Sequence, residues 1–189
     1  MEIRMATVAD AEEMLEIYTP YVRDTAISME YEVPTAAEFR ARVRDFSAQY
    51  PYLVCLCGGR IVGYAYAHAY LQRAAYQWDV ELSVYLEAAA CGQGLGSRLT
   101  KTLTELLRLQ HVRTAYALIT SENRASLHMT EQLGFRFVGE YRRTAFKHGR
   151  WHGVSICELP LCDDDSAPEK LLPFPMADRA AAEEILRRF

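Results

Sequence analysis

Hydrophobic and polar positions change period several times along this chain, and each change marks an element. Ile3 to Met5 is a short first strand. Thr7 then stands as a helix N-cap, with Asp10 three residues on. Ala11, Met14 or Leu15, Tyr18 and Val22 recur at helical spacing behind it. Pro34-Thr35 repeats the start signal with Glu38 in the capping-box place, and a second helix is predicted from there to about Tyr50, stopped by Pro51. The period then falls to two. Tyr52 to Cys57 is a β-run, Gly58-Gly59 a tight turn, and Arg60 to Tyr70 a second, longer strand. In Asp79 to Leu86, Val80, Leu82, Val84 and Leu86 fall on one side and Glu81, Ser83 and Tyr85 on the other. A loop of small residues from Ala88 to Gly96 opens a helix whose stripe is Leu95, Leu99, Leu103 and Leu106. Thr114 to Ile119 is a strand and Asn123 to Leu133 a helix stopped by Gly134. Arg136 to Phe146 and Trp151 to Leu161 form a hairpin around His148-Gly149. The order β-α-α-β-β-β-α-β-α-β-β predicts a mixed α/β sheet with helices on both faces.

Beyond Cys162 the texture changes again. Asp163 to Pro168 is a polar linker, and Ala177 to Phe189 is a short amphipathic helix with Ile185, Leu186 and Phe189 on its apolar side. The expected organisation is therefore one domain over 1–162 and a linker with a helical tail over 163–189. The length of 189 residues suits one domain with its own core, needing neither disulfides nor a structural metal. The net charge of −4 argues against a nucleic-acid partner. No apolar run approaches a membrane span, and the first residues carry no basic, apolar leader. Five scattered cysteines fit free thiols in a reducing compartment, so a cytoplasmic location is expected.

Candidate chemistry begins at Cys91-Gly92-Gln93-Gly94-Leu95-Gly96, between a strand and a helix. Glycines let main-chain N–H groups close on an anion, and the helix start adds unpaired donors and the positive end of its dipole. A pyrophosphate is the natural occupant. No Lys-Ser or Lys-Thr follows the last glycine, so this is not a P-loop. Glu81 and Ser83 interrupt the preceding strand, unlike a Rossmann strand buried on both faces.

Gly92 to Gly96 resembles the acetyl-CoA pyrophosphate loop of the GCN5-related (GNAT) N-acetyltransferases, and Asn123 to Phe135 resembles that superfamily's second signature. Thr25 to Pro34, Arg73 to Glu81, Ser83 to Tyr85 and Phe146 to His152 are similar to its phosphinothricin N-acetyltransferase branch. The resemblance runs over roughly residues 2 to 161. It implies a GNAT fold with a mostly antiparallel central sheet, and transfer of acetyl from acetyl-CoA to a primary amine without a metal. It implies that the main chain of Val84, Tyr85 and Leu86 lines the coenzyme site, together with Gly92, Gln93, Gly94, Leu95, Gly96, Ser97 and the side chain of Asn123. It implies Glu81 as the base that deprotonates the amine, and Met29, Arg73 and Tyr76 on the acceptor side. Arg73 is suited to holding a carboxylate or phosphinate through two parallel bonds, which favours a small amino-acid-like acceptor of the phosphinothricin or methionine sulfoximine type. A homodimer follows by analogy with the branch.

The chain departs from the family pattern at three places. Thr130 stands where the family uses a tyrosine or histidine to protonate the departing thiolate, Cys91 where a glutamine or arginine is usual, and Met29 where the branch has a phenylalanine. His128 lies two residues before Thr130 and points to another side of the helix. The general acid is thus unassigned. Two alternatives stay open at this stage. One is the same fold acting on a protein N-terminus, a lysine or a polyamine; the other is a CoA-binding sensor without turnover.

Overall fold

In the computed structural model, which describes residues 1–162 and 164–188, the alternating segments join in one seven-stranded sheet. Its strands are β1 (Glu2–Met5), β2 (Tyr52–Cys57), β3 (Arg60–Ala69), β4 (Asp79–Leu86), β5 (Thr114–Thr120), β6 (Arg136–Lys147) and β7 (Arg150–Pro160). Their spatial order is β1-β2-β3-β4-β5-β7-β6. Every neighbouring pair is antiparallel except β4 and β5. The helices are α1 (Ala11–Asp24), α2 (Ala36–Ser47), α3 (Leu95–Arg108), α4 (Arg124–Gln132) and α5 (Arg179–Arg188). The mixed, mostly antiparallel sheet with helices on both faces is the architecture expected from the element order and the resemblance.

Alternation along β3 and β4 decides what each face holds. Ala65, Ala67, Val80 and Leu82 meet the leucine stripe of α3, where Leu99, Leu103, Leu106 and Leu107 are fully buried. Tyr64, Tyr66 and Tyr85 point the other way, against Met14, Tyr18 and Val22 of α1 and Phe39 and Val43 of α2. Burying four leucines on one stripe is the main local reason α3 sits where it does, since each contributes roughly 1.5–3 kcal/mol of burial. The helix starts also follow their caps. Thr35 Oγ1 accepts from Glu38 N at 3.2 Å, and Glu38 Oε2 accepts from Thr35 N at 2.8 Å. Asp10 closes a 3-10 turn (Val8–Asp10) ahead of α1 by accepting from Thr7 N at 2.7 Å, while Arg4 holds its carboxyl down at about 2.

The structure shifts several expected boundaries. α2 ends at Ser47, before the predicted Tyr50, because residues 48–50 leave the helix in a turn ahead of Pro51, with Tyr50 N bonded to Phe46 O at 2.8 Å. α5 begins at Arg179 rather than Ala177, because Asp178 Oδ1 accepts from Ala181 N at 3.1 Å and so starts it. The polar segment before it is a strap rather than a free linker. Trp78 Nε1 donates to Glu169 O at 2.7 Å, and Gln110 Nε2 donates to Gln49 O and Leu172 O at 2.7 and 2.6 Å. α5 packs on α3 and β1 and buries Ala182 and Ile185 in the main core. Asp163 and Phe189, expected in the linker and on the apolar side of the tail helix, lie outside the described residues. Among the described residues, no helix is long and apolar enough to cross a membrane.

Because Ile185 is only 6 % exposed, Ile185→Ala is expected to cost about 2–4 kcal/mol. Arg187→Ala, on the exposed side of the same helix, is expected to change little. Thermal unfolding of the two variants beside the parent checks this; equal midpoints would show that the tail adds nothing to the core.

Candidate active site

The site begins where a strand pair stops. β4 pairs with β5 only at Asp79–Thr114, Val80–Ala115 and Glu81–Tyr116. β4 then continues on β3 as far as Gly63–Leu86, and β5 continues on β7 as far as Thr120–Val154. The two strands therefore diverge beyond Glu81 and open a wedge of about 550 Å³ in the middle of the sheet. Ser83 to Leu86 form one wall, Ala117 to Thr120 the other, and the starts of α3 and α4 close the mouth. Main-chain groups of β4 on that side have no ladder partner, and such groups seek one. Tyr21 from α1 answers for the last of them, its hydroxyl donating to Leu86 O at 2.6 Å.

The mouth is built from glycines. Gly92 and Gly94 have φ of +75° and +77°, and Gly94 is the N-cap of α3. A β-carbon on either would meet nothing within 4 Å, so the left-handed backbone, and not lack of space, demands glycine there. The first turn of α3 carries no acidic residue, so the positive end of the helix is left for an incoming anion. A β-carbon on Gly96 would stand 2.8 Å from Met129 Sδ, so its absence lets α3 and α4 approach closely. Asn123 caps α4, its Oδ1 accepting from Ser126 N at 3.2 Å, which leaves the amide NH₂ to donate.

Nine of the ten residues expected around a coenzyme line this wedge: Val84, Tyr85, Leu86, Gly92, Gly94, Leu95, Gly96, Ser97 and Asn123. Gln93 does not, because its side chain folds back to donate to Ala89 O at 2.8 Å. Cys91 lines the mouth. Thr130 also reaches the wedge, but its hydroxyl donates into its own helix, to Leu127 O at 2.9 Å and Ser126 O at 3.1 Å. His128 stands exposed at the rim, with Nδ1 4.0 Å from Glu131.

Glu81 sits on the last rung before the divergence, on the α1/α2 face of the sheet. Its carboxylate is half-buried and makes no hydrogen bond among the described residues. Loss of water pushes its pKa up, and His68 on the neighbouring strand pulls it part of the way back. Glu81, Met29, Arg73 and Tyr76 do not line the wedge. Arg73 and Tyr76 are exposed, at the start and end of a short turn ahead of β4, and Met29 is half-buried in the segment joining α1 to α2. That segment is firmly held. Buried Lys147 donates to Val22 O and Ser28 O, both at 2.7 Å, and Thr120 Oγ1 donates to Ala26 O at 2.5 Å. His148 Nε2 meets Thr25 O at 3.2 Å, and Tyr31 donates to the Phe146 carbonyl. Sequence reasoning assigned nothing to Lys147 and did not find Tyr21. A lysine beside a hairpin turn reads as solvated, and Tyr21 lies off the apolar stripe of α1. Among the described residues no cluster of three or more metal-ligating side chains occurs.

Comparison with known proteins agrees with this geometry. Residues 3–154 match the acetyltransferase (GNAT) domain family. The chain is 33% identical over 156 residues to the phosphinothricin N-acetyltransferase of Streptomyces viridochromogenes, covering 82% of this chain and 85% of that one. It is 36% identical over 171 residues to the L-methionine sulfoximine/L-methionine sulfone acetyltransferase of Pseudomonas aeruginosa, covering 88% and 98%. Among solved structures, the phosphinothricin acetyltransferase of Sinorhizobium meliloti in complex with acetyl-CoA superposes with a TM-score of 0.87 at 33% identity, over 91% of this chain and 95% of that one.

The strain at the α3 cap has a separable signature. Gly94→Ala is expected to lose about 1–2 kcal/mol of stability from the left-handed backbone alone. Gly94→Asn is expected to recover much of it, because asparagine tolerates that conformation. Denaturant midpoints of the two variants test this; equal losses would point to a steric cause instead.

Proposed function

This chain belongs to the GNAT acetyltransferases, and we propose that it moves acetyl from acetyl-CoA to the primary amine of a small amino-acid-like acceptor, of the phosphinothricin or methionine sulfoximine type, by direct attack. The observation that carries the reading is the parting of β4 from β5 directly after Glu81, with the glycine loop at its mouth. The diphosphate of acetyl-CoA lies on the main-chain amides of residues 92–97, and the amide-bearing pantetheine arm follows the unpaired side of Val84 to Leu86 as an added strand would. Such a path aims the thioester toward the closed end of the wedge, where the last shared rung carries Glu81. The likeness to phosphinothricin and methionine sulfoximine acetyltransferases supports the acceptor class.

An amine attacks only when neutral. Glu81 takes a proton from the acceptor ammonium, directly or through a water, and its half-buried carboxylate has the raised affinity for protons that this step needs. The freed lone pair attacks the thioester carbonyl, whose developing oxyanion is met by a main-chain N–H on the open side of β4. The nitrogen of the tetrahedral adduct gives up its second proton to water, the adduct collapses, the C–S bond breaks, and coenzyme A leaves. Thr130 is no acid in this scheme, since its hydrogen is committed to a carbonyl of α4. The thiolate departs unaided and takes its proton from water. Met29, Arg73 and Tyr76 belong to the acceptor side, Arg73 as the group that grips an acceptor carboxylate or phosphinate; their place outside the wedge suits a role toward the acceptor rather than the coenzyme.

The working form is a homodimer in the cytoplasm. Five free thiols support the compartment. β6 supports the dimer: it is an edge of the sheet, yet exposes Phe137, Val138 and Tyr141, with Phe146 and Trp151 nearby on the same hairpin. Sedimentation should give twice the chain mass, and Phe137→Lys with Tyr141→Lys should return the monomer. A parent chain already monomeric at working concentration would refute it.

Glu81→Gln is the decisive variant. It is expected to lower kcat on the order of 10²–10⁴-fold and leave the calorimetric affinity for acetyl-CoA nearly intact. The sign with pH is fixed by the raised carboxyl. In the parent, kcat/KM rises with pH through a limb above the ordinary glutamate range, and this limb vanishes in Glu81→Gln. Folding shows the converse. A raised carboxyl favours the folded state below its unfolded pKa and loses that advantage as pH rises through the folded one, so Glu81→Gln melts higher at neutral pH. Unchanged kcat removes Glu81 from the mechanism. A screen of amino acids, peptide N-termini and polyamines with a thiol-detecting assay tests the acceptor class.

A further inference from the structure

One titratable side chain beside the proposed base has no part in the transfer so far. His68 on β3 lies directly opposite Glu81 on β4, so the two side chains leave the same face of the sheet. Phe46 of α2 stacks on the imidazole with centroids 5.4 Å apart and planes 24° apart, and Tyr66 flanks it at 6.0 Å. These contacts fix the ring. Nδ1 stands 3.1 Å from Ala69 O. A carbonyl oxygen can only accept, so Nδ1 carries the hydrogen, and in the neutral ring Nε2 keeps a bare lone pair. The ring is half-buried and so retains contact with solvent.

The other charged and titratable groups around the pair are accounted for. Arg42 of α2 is held by Glu30 at 2.5 and 3.0 Å, and Asp79, the next carboxyl along β4, is bonded to Thr114. Tyr66 of β3, Tyr70 just past its end and Tyr116 of β5 are phenols whose pKa burial raises. Among these neighbours the imidazole is the one group that carries an unprotonated nitrogen lone pair. The carboxylate and ring make no direct hydrogen bond, and opposed β-carbons about 4.5–5.5 Å apart leave room for one bridging water.

We infer that His68 is the proton exit of the base, receiving through one water the proton that Glu81 takes from the acceptor and passing it to solvent. The inference rests on the reading of Glu81 as base. An N–H bond of the ammonium breaks, its electron pair stays on nitrogen, and a carboxyl O–H forms. That O–H then breaks as Nε2–H forms, and Nε2–H ionises to bulk water. Both groups return to their starting states. The overall reaction, ammonium plus acetyl-CoA to amide, coenzyme A thiol and one proton, is balanced. His68 touches neither substrate in this scheme; it is a positioning and relay residue that acts through Glu81. The attraction that pulls the Glu81 carboxyl back from its burial-driven rise is what a cationic ring at this place would supply.

The test uses the full-length enzyme with saturating acetyl-CoA and methionine sulfoximine, or the best acceptor of the screen above. His68→Ala and His68→Gln are expected to lower kcat on the order of 10–100-fold, below the loss of the base itself, with calorimetric affinity for acetyl-CoA unchanged. Added imidazole buffer is expected to restore His68→Ala in proportion to its concentration and to leave Glu81→Gln unrestored. A merely structural role for the ring would not produce that rescue. His68 variants with full kcat across the acid limb, or a loss that imidazole does not repair, overturn the relay. An impaired Glu81→Gln beside unimpaired His68 variants sinks the relay alone, whereas Glu81→Gln with full kcat sinks the base reading and the relay with it.

Discussion

A β-sheet is stable because each strand satisfies the next, and this protein is organised around the place where that rule is broken. β4 and β5 share three rungs and then part. Each is laddered on its outer side, so the gap between them does not unravel the sheet. Everything functional depends on that gap. It exposes main-chain donors and acceptors to a ligand in the middle of a rigid sheet, where ordinarily only an edge would do so. It leaves Glu81 on the final rung, where the shared pairing stops. It also brings the starts of α3 and α4, which follow β4 and β5, to the open end. The two helix dipoles and the unpaired strand thus face one volume for topological reasons, before any side chain is chosen.

The side chains then tune what the topology offers. Glycine at 92 and 94 lets the loop take a left-handed path into α3, and glycine at 96 lets α4 come close. Tyr21 satisfies Leu86 and so prevents the far end of the unpaired strand from being a liability. Lys147 gives up its solvation to tie a carbonyl of α1, at Val22, to one of the α1–α2 segment, at Ser28, a cost repaid only if that segment must keep one shape. A segment pinned from β5, β6 and the β6–β7 turn makes a fixed wall, which suits a small acceptor more than a long flexible one.

Much of this was legible in the residues. The alternation of Asp79 to Leu86 placed β4 without error, because one face carries only aliphatics and the other Glu81, Ser83 and Tyr85. The glycine loop and the α3 stripe were equally plain, and together they located most of the residues that line the wedge. What escaped has a common cause: it depends on contacts far apart in sequence. Gln93 stands inside the loop motif, yet its side chain turns away to Ala89, a choice that spacing cannot reveal. The polar stretch after Cys162 looked free, but Gln110 and Trp78 bind its main chain from elsewhere in the fold. The divergence of β4 from β5 is the deepest example. Nothing in the period of either strand says where their pairing ends.

The replacement of the usual acid by Thr130 bears on how chemistry is divided here. A hydroxyl that already donates to carbonyls of its own helix has no free hydrogen to lend, so Thr130 is not placed to act as the acid. Thiolates leave well compared with amines, and at neutral pH the harder task is the reverse one, stripping a proton from the acceptor. On the proposed reading that task falls to Glu81, half-buried on the last rung shared by β4 and β5. On that reading the proton chemistry lies on the β3–β4 side of the cleft, and the α4 side is left to binding. An imidazole opposite Glu81, with one nitrogen tied to a carbonyl and the other bare, follows the same division: it lies on the side where a proton must be carried away.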